Sequence, residues 1–249
     1  MIIGIYAPKP NMGASTVARQ LALALASRAE PVLLVELDYR FPSTALCWQL
    51  TDEEHSLERA VSDYLQKPRW RLSDYVLPGR GHSEQQAAEG RFPPGLSVLL
   101  PSGLRGVESF PPEPQSFVGD LADQAKDLAF SWVVMDLPSE VDSVLFITAL
   151  KRLDLCILLS DGSLAHEILL RQRLELWNQL GLCAKRIRVR YPVKPVQRMT
   201  RFQMLPELAV AFPYVRRMPA QGMRLCNSRT YRKALHQLIR TIREKGEKG

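Results

Sequence analysis

Two hydrophobic patterns alternate along this chain. Short unbroken apolar runs recur at residues 2–6, 31–36, 95–100, 131–136 and 154–160. Their length and branched side chains predict strands buried on both faces. Residues 186–191 instead alternate charged and apolar positions, which predicts a strand with one buried face. Between the runs the spacing turns helical. Val17, Leu21 and Leu25 repeat every fourth residue after Ser15-Thr16, and residues 56–65 keep a similar period behind the acidic Asp52–Glu54 stretch. A further helix is expected around residues 117–129, delimited by the prolines at 111, 112 and 114. Leu164, Ile168, Leu169 and Leu174 mark a helix over 163–180 with Gly181 as its cap, and Tyr231, Leu235, Leu238, Ile239 and Ile242 mark a last one from Ser228. Residues 206–208 and 211–215 read as a short helix and a final strand. Strands alternating with helices predict an α/β domain with a doubly wound, mostly parallel sheet and helices on both faces.

The first strand, the loop 7–14 and the helix opening at Ser15 come in the order of a phosphate-cradling unit, in which backbone amides at a helix N-terminus converge on an anion. The loop resembles the deviant Walker A motif of the ParA/MinD family, K-G-G-x-G-K-[ST]-[ST]. On that resemblance Lys9 is the early signature lysine, Gly13 the last glycine and Ser15-Thr16 the hydroxyl pair, so Lys9, Met12, Gly13, Ala14, Ser15 and Thr16 are the candidate nucleotide-binding residues. Three departures stand out. Pro10 and Asn11 replace two glycines, and Ala14 replaces the lysine of the phosphate site. Proline has no N–H to offer an anion, and asparagine carries a Cβ where glycine permits close approach. The missing lysine removes a charge-assisted contact worth about 1.5–3 kcal/mol.

Other segments fit the same resemblance in the same order. Glu36-Leu37-Asp38 stands where the family has D-x-D, which makes Asp38 the acid that organises attacking water, and Arg40-Phe41-Pro42-Ser43 continues as the family's R-x-P-S. Residues 95–103 resemble its G-L-x-V-L-P-x-G strand. Asp136-Leu137-Pro138 resembles the hydrophobic-D-x-P switch II motif, which pairs Asp136 with Ser15 as magnesium residues if nucleotide binds. At the end of the sixth strand the family places an asparagine on the adenine. Here Arg190 and Tyr191 occupy that neighbourhood.

Composition adds one feature. The net charge is +7, but residues 1–150 hold 12 Lys/Arg against 19 Asp/Glu, whereas residues 151–249 hold 21 against 7. Such a basic half suits nucleic acid, anionic lipid or an acidic protein, or else packs against the acidic half. The four cysteines and four histidines show no metal-ligand spacing, and reduced, packed thiols are expected. No apolar run reaches membrane-spanning length, no signal-type segment precedes the first strand, and a cytoplasmic protein is expected. The final residues Glu244–Gly249 have no apolar face, so the membrane-binding tail of MinD proteins is not expected. A single domain over 1–249 is expected, with a variable segment at 51–94, including a Gly/Pro loop at 78–83, and a basic part at 151–249.

The resemblance implies a MinD/ParA-type protein whose altered loop leaves ATP hydrolysis weak or absent, acting as a scaffold for spatial positioning. The CpaE/TadZ-like pilus-localisation branch is the model for such a role, with a homodimer, a protein partner in the assembly machinery, and ATP with Mg as cofactors. Two alternatives stay open. One is an active ATP-dependent dimerisation switch in which Lys9 reaches the partner subunit's nucleotide. The other is a nucleoid-binding partitioning protein that holds DNA non-specifically through the basic C-terminal half.

Overall fold

A computed structural model describes residues 1–50, 52–78, 93–103, 110–141, 143–182, 184–191, 206, 208–213, 215 and 224–246. Seven strands, β1 (Ile2–Tyr6), β2 (Val32–Glu36), β3 (Leu96–Leu99), β4 (Trp132–Asp136), β5 (Leu155–Ser160), β6 (Lys185–Arg190) and β7 (Leu208–Ala211), form one sheet in the order β3-β2-β4-β1-β5-β6-β7. Every pairing in it is parallel. Parallel neighbours need long crossovers, and the helices supply them: α1 (Ala14–Leu25), α2 (Ser43–Trp48), α3 (Leu57–Gln66), α4 (Phe117–Asp127), α5 (Val144–Arg152), α6 (Leu164–Gln179) and α7 (Arg229–Gly246).

Strand alternation divides the core in two. Ile3, Ile5 and Val134 point to the face covered by α1, α2 and α7, where Leu21, Trp48 and Leu238 pack. Ile2, Tyr6 and Val133 point to the opposite face, beneath α3, α4, α5 and α6, where Val61, Leu121, Phe146 and Trp177 pack. Gly4 faces the same side as Ile2 and Tyr6, where a Cβ would lie 2.4 Å from Leu153 Cδ1. The expected doubly wound α/β architecture is therefore present, with helices on both faces.

Two readings need correction, and two helices carry no signal in the residue pattern. Leu208, expected at the end of a short helix over 206–208, lies in β7, and that strand is Leu208–Ala211, so Phe212 and Pro213 of the strand expected at 211–215 follow it. Helices α2 and α5 have no counterpart among the elements that the residue pattern predicts. The first is only six residues long, below any reliable period, and the second is apolar enough for a buried helix to pass as a connection. The two caps the sequence predicts are in place: Gly181 follows α6 at φ +69°, and Ser228 accepts the Tyr231 amide (3.4 Å) at the start of α7. Ser56 and Ser163 accept first-turn amides of α3 and α6 in the same way. The loop at 79–83, Cys183, Glu207, Tyr214 and the terminal residues 247–249 lie outside the described residues.

Candidate functional site

The sheet order places β2, β4 and β1 side by side, so their C-terminal tips deliver Glu36, Asp136 and the 7–13 loop to one place. That is where an open parallel sheet gathers ligands. A cleft of about 480 Å³ opens there, lined by the loop residues Lys9 to Gly13, by Ala14, Ser15, Thr16 and Arg19 of α1, and by Asp38, Phe41, Ser43 and Asp136. The sequence-derived candidates Lys9, Met12, Gly13, Ala14, Ser15, Thr16, Asp38 and Asp136 all line it.

Two loop residues take left-handed backbone conformations. Asn11 adopts φ +61° and Gly13 φ +86°. Asparagine is among the few residues with a Cβ that tolerate this left-handed region. Gly13 has no such latitude. A Cβ there would meet the Tyr191 ring, 2.2 Å from Cε1. Tyr191 leaves β6 through its amide bond to Ser160 O (3.0 Å) and turns its half-buried ring onto the loop, with its hydroxyl facing Thr16. Burial pushes that phenol above its ordinary value.

The start of α1 retains the elements of an anion cradle. Val17 is the first residue whose amide bonds back, to Gly13 O (2.9 Å). Among the described residues the amides of Ala14, Ser15 and Thr16 have no acceptor, as expected of a first helical turn. Ala14, at the head of the helix, lines the cleft with no side chain beyond Cβ.

Across the cleft stand the carboxylates. Asp136 is 1 % exposed, and its Oδ2 is buried without a hydrogen-bond partner while the Ser15 hydroxyl faces the carboxylate. Burial pushes Asp136 up to about 7, an effect that Ser15 opposes. An orphaned carboxylate oxygen beside a helix-start hydroxyl fits an octahedral magnesium ion with its waters. Asp38 lies nearer the surface. It accepts the Phe41 amide at 3.1 Å, and burial raises its pKa.

Two buried residues had not been singled out from the sequence. Glu36 accepts the amides of Thr44 (2.7 Å) and Ala45 (3.2 Å) and so holds the N-terminus of α2 under the cleft. Burial, with Asp136 nearby, pushes it up to about 8. The E-x-D pattern drew attention to Asp38, yet the first acid is the one that ties the 38–43 segment to the sheet. Arg19, 9 % exposed, donates from Nη2 to Thr16 Oγ1 (3.3 Å) and from Nη1 to Ser43 Oγ and Thr44 Oγ1 (both 3.5 Å). Its only signal in the sequence is a charge one turn after Thr16, on a helix whose neighbouring positions are buried.

The sequence matches no protein-family model and no curated protein. Solved structures do match. The septum site-determining protein MinD from Pyrococcus horikoshii, in complex with Mg-ADP, aligns with TM-score 0.71 and 17 % identity over 97 % of this chain and 95 % of that one. The chain has the MinD/ParA-type P-loop NTPase fold. A plasmid partition protein from Borrelia burgdorferi bound to AMPPNP gives TM-score 0.71 at 14 % identity, with 98 % of both chains covered. MinD from Aquifex aeolicus gives 0.69 at 13 %, over 98 % and 97 %. Within this MinD/ParA-type fold, the cleft lies where the first strand, the loop and α1 meet. Among the described residues no helix is long and apolar enough to cross a membrane.

Proposed function

We propose that this protein is a MinD/ParA-type positioning scaffold whose cleft takes a magnesium nucleotide and turns it over slowly or not at all. One observation carries the reading: Ser15 faces a buried Asp136 whose Oδ2 has no hydrogen-bond partner, the pair that would hold magnesium, while position 14 beside them is alanine. Bound magnesium would neutralise phosphate charge and be held by Ser15 and, through water, by Asp136. The chain's own groups do the rest. The first-turn amides bind phosphate oxygens, Asp38 holds the turn through Phe41, and Glu36 anchors α2. A lysine at position 14 would follow charge onto the transferring phosphoryl group, so its absence weakens turnover more than binding.

Lys9 is exposed at the rim of the cleft and makes no hydrogen bond or ion pair among the described residues. That supports a homodimer in which it reaches the partner's nucleotide. The Aquifex MinD has also been solved in complex with MinC, and a protein partner of an assembly system, as in the CpaE/TadZ branch, is part of this reading.

Calorimetric titration with ATP and magnesium, beside a steady-state ATPase assay, tests it. Weak binding without turnover, tightened roughly tenfold or more by Ala14→Lys, is the expected result. Turnover by the native chain that Asp38→Ala abolishes would replace the scaffold with an active dimerisation switch. Absence of binding by both proteins would remove nucleotide from the account.

A second reading has its own support. Arg229, Arg232, Lys233 and Arg240 are exposed along α7, a basic face suited to non-specific DNA.

A further inference from the structure

Among the described residues Arg19 is a buried cation without an ion pair. It is 9 % exposed, yet no described carboxylate comes within 4.0 Å of it, and its three partners are hydroxyls at the long end of hydrogen-bond range. Taking a guanidinium out of water is costly unless a negative charge compensates it. The buried acids around it each have an evident purpose. Glu36 holds two amides of α2, and Asp136 faces Ser15.

Its position indicates what would compensate it. Arg19 lies one helical turn beyond Thr16 on α1 and lines the same cleft as Ala14 and Ser15. It therefore stands behind the amides that would hold a phosphate, close to the place from which a cation is missing. Asp136 feels the charge of Arg19, but no described carboxylate approaches the guanidinium within ion-pair distance.

We propose that Arg19 supplies, from the second turn of α1, the positive charge that Ala14 does not, and that the cleft is thereby a site for a di- or triphosphate group held by a guanidinium in place of a lysine. A planar guanidinium suits this because it offers several donors in a fixed fork and loses less hydration than an ammonium when buried. The hydroxyls of Thr16, Ser43 and Thr44 position the fork and are weak enough partners to be exchanged for phosphate oxygens. The same bonds connect the occupant to α2, since the Thr44 that Arg19 touches is the residue whose amide Glu36 holds. The inference rests on the cleft being the phosphate site of the proposed function. It differs from that reading in requiring Arg19.

The test uses the full chain with inorganic pyrophosphate and magnesium as the probe, read by calorimetric binding and by thermal unfolding. Pyrophosphate should raise the melting temperature of the native protein. Arg19→Met should raise the melting temperature of the ligand-free protein, because an uncompensated buried charge is gone, and should weaken pyrophosphate binding roughly tenfold or more. Arg19→Gln keeps donors for the hydroxyls without the charge, and should lose binding in the same way; it decides the matter if the methionine variant does not fold. Adding Ala14→Lys to Arg19→Met should restore binding, a rescue that a merely structural arginine would not show. Unchanged pyrophosphate binding in Arg19→Met and Arg19→Gln, or no binding by the native chain, overturns the proposal. ATP turnover by the native chain would overturn the scaffold reading alone and leave the Arg19 result standing.

Discussion

The Tyr191 ring packs against the backbone of Gly13, so closely that a Cβ on the glycine would sit 2.2 Å from the tyrosine Cε1. The end of β6 and the loop before α1 are thus fitted to each other through one aromatic ring and one missing side chain. Gly13→Ala meets both the ring and a left-handed backbone at φ +86°, and should destabilise the protein by about 1–3 kcal/mol. Urea unfolding of Gly13→Ala, Tyr191→Ala and the double variant checks this. The double variant should recover the steric part, leaving a coupling of about 0.5 kcal/mol or more; additive effects would show that ring and loop are independent.

Glu36 presents a different kind of constraint. Its carboxyl receives two amides at the N-terminus of α2, a helix of only six residues. Glu36→Ala should cost about 1.5–3 kcal/mol through the unmade bonds to Thr44 and Ala45. Glu36→Gln, which keeps an acceptor, should cost less. Chemical denaturation gives the magnitudes, and equal losses in the two variants would mean that the acceptor is not what matters.

Burial raises both Glu36 and Asp136, to about 8 and about 7. The folded protein therefore binds these protons more tightly than the unfolded chain does. The associated stability is complete below the ordinary carboxylate range and is lost as pH rises through the folded-state values. Melting temperature should fall between about pH 5 and about pH 9, and Asp136→Asn should flatten part of that slope. A profile unaffected by the substitution would place the titration elsewhere.

Magnesium should reverse the order. An ion held near Asp136 favours its charged form, so binding of magnesium with pyrophosphate should release protons near neutral pH. Titration in buffers of different ionisation enthalpy counts them. Asp136→Asn should abolish the release and the magnesium dependence together, and removal of magnesium with a chelator should do the same to the native chain.

If the basic face of α7 meets DNA, binding to duplex should be weak, independent of sequence and steeply reduced by salt. Replacing Arg229, Arg232 and Lys233, all exposed, by glutamine should lower the salt slope by about one unit for each phosphate no longer neutralised. An electrophoretic shift series across salt concentrations reads it, and a salt-insensitive shift would exclude this mode.

Much of the fold was legible in the residue pattern. Five of the seven strands are continuous apolar runs because a parallel sheet covered on both faces asks for nothing else, and the Ser and Gly caps follow from local hydrogen bonding. The candidate residues from Lys9 to Thr16, with Asp38 and Asp136, lay at strand ends and a loop, the points where such a sheet exposes chemistry. These properties are local in sequence, and local sequence determined them. The burial of Arg19 among hydroxyls, the hold of Glu36 on α2 and the ring of Tyr191 over Gly13 are different in kind. Each joins residues that no period or spacing relates: Arg19 to Ser43, Glu36 to Thr44, Tyr191 to Gly13. A charge on a helix reads the same in sequence whether it faces water or a dry cleft, and an acid after a strand reads the same whether it meets a ligand or a helix end. Only the packing of β2, β4, β1 and β6 around α1 decides the dielectric and the partners of those groups, and with them the electrostatics of the cleft.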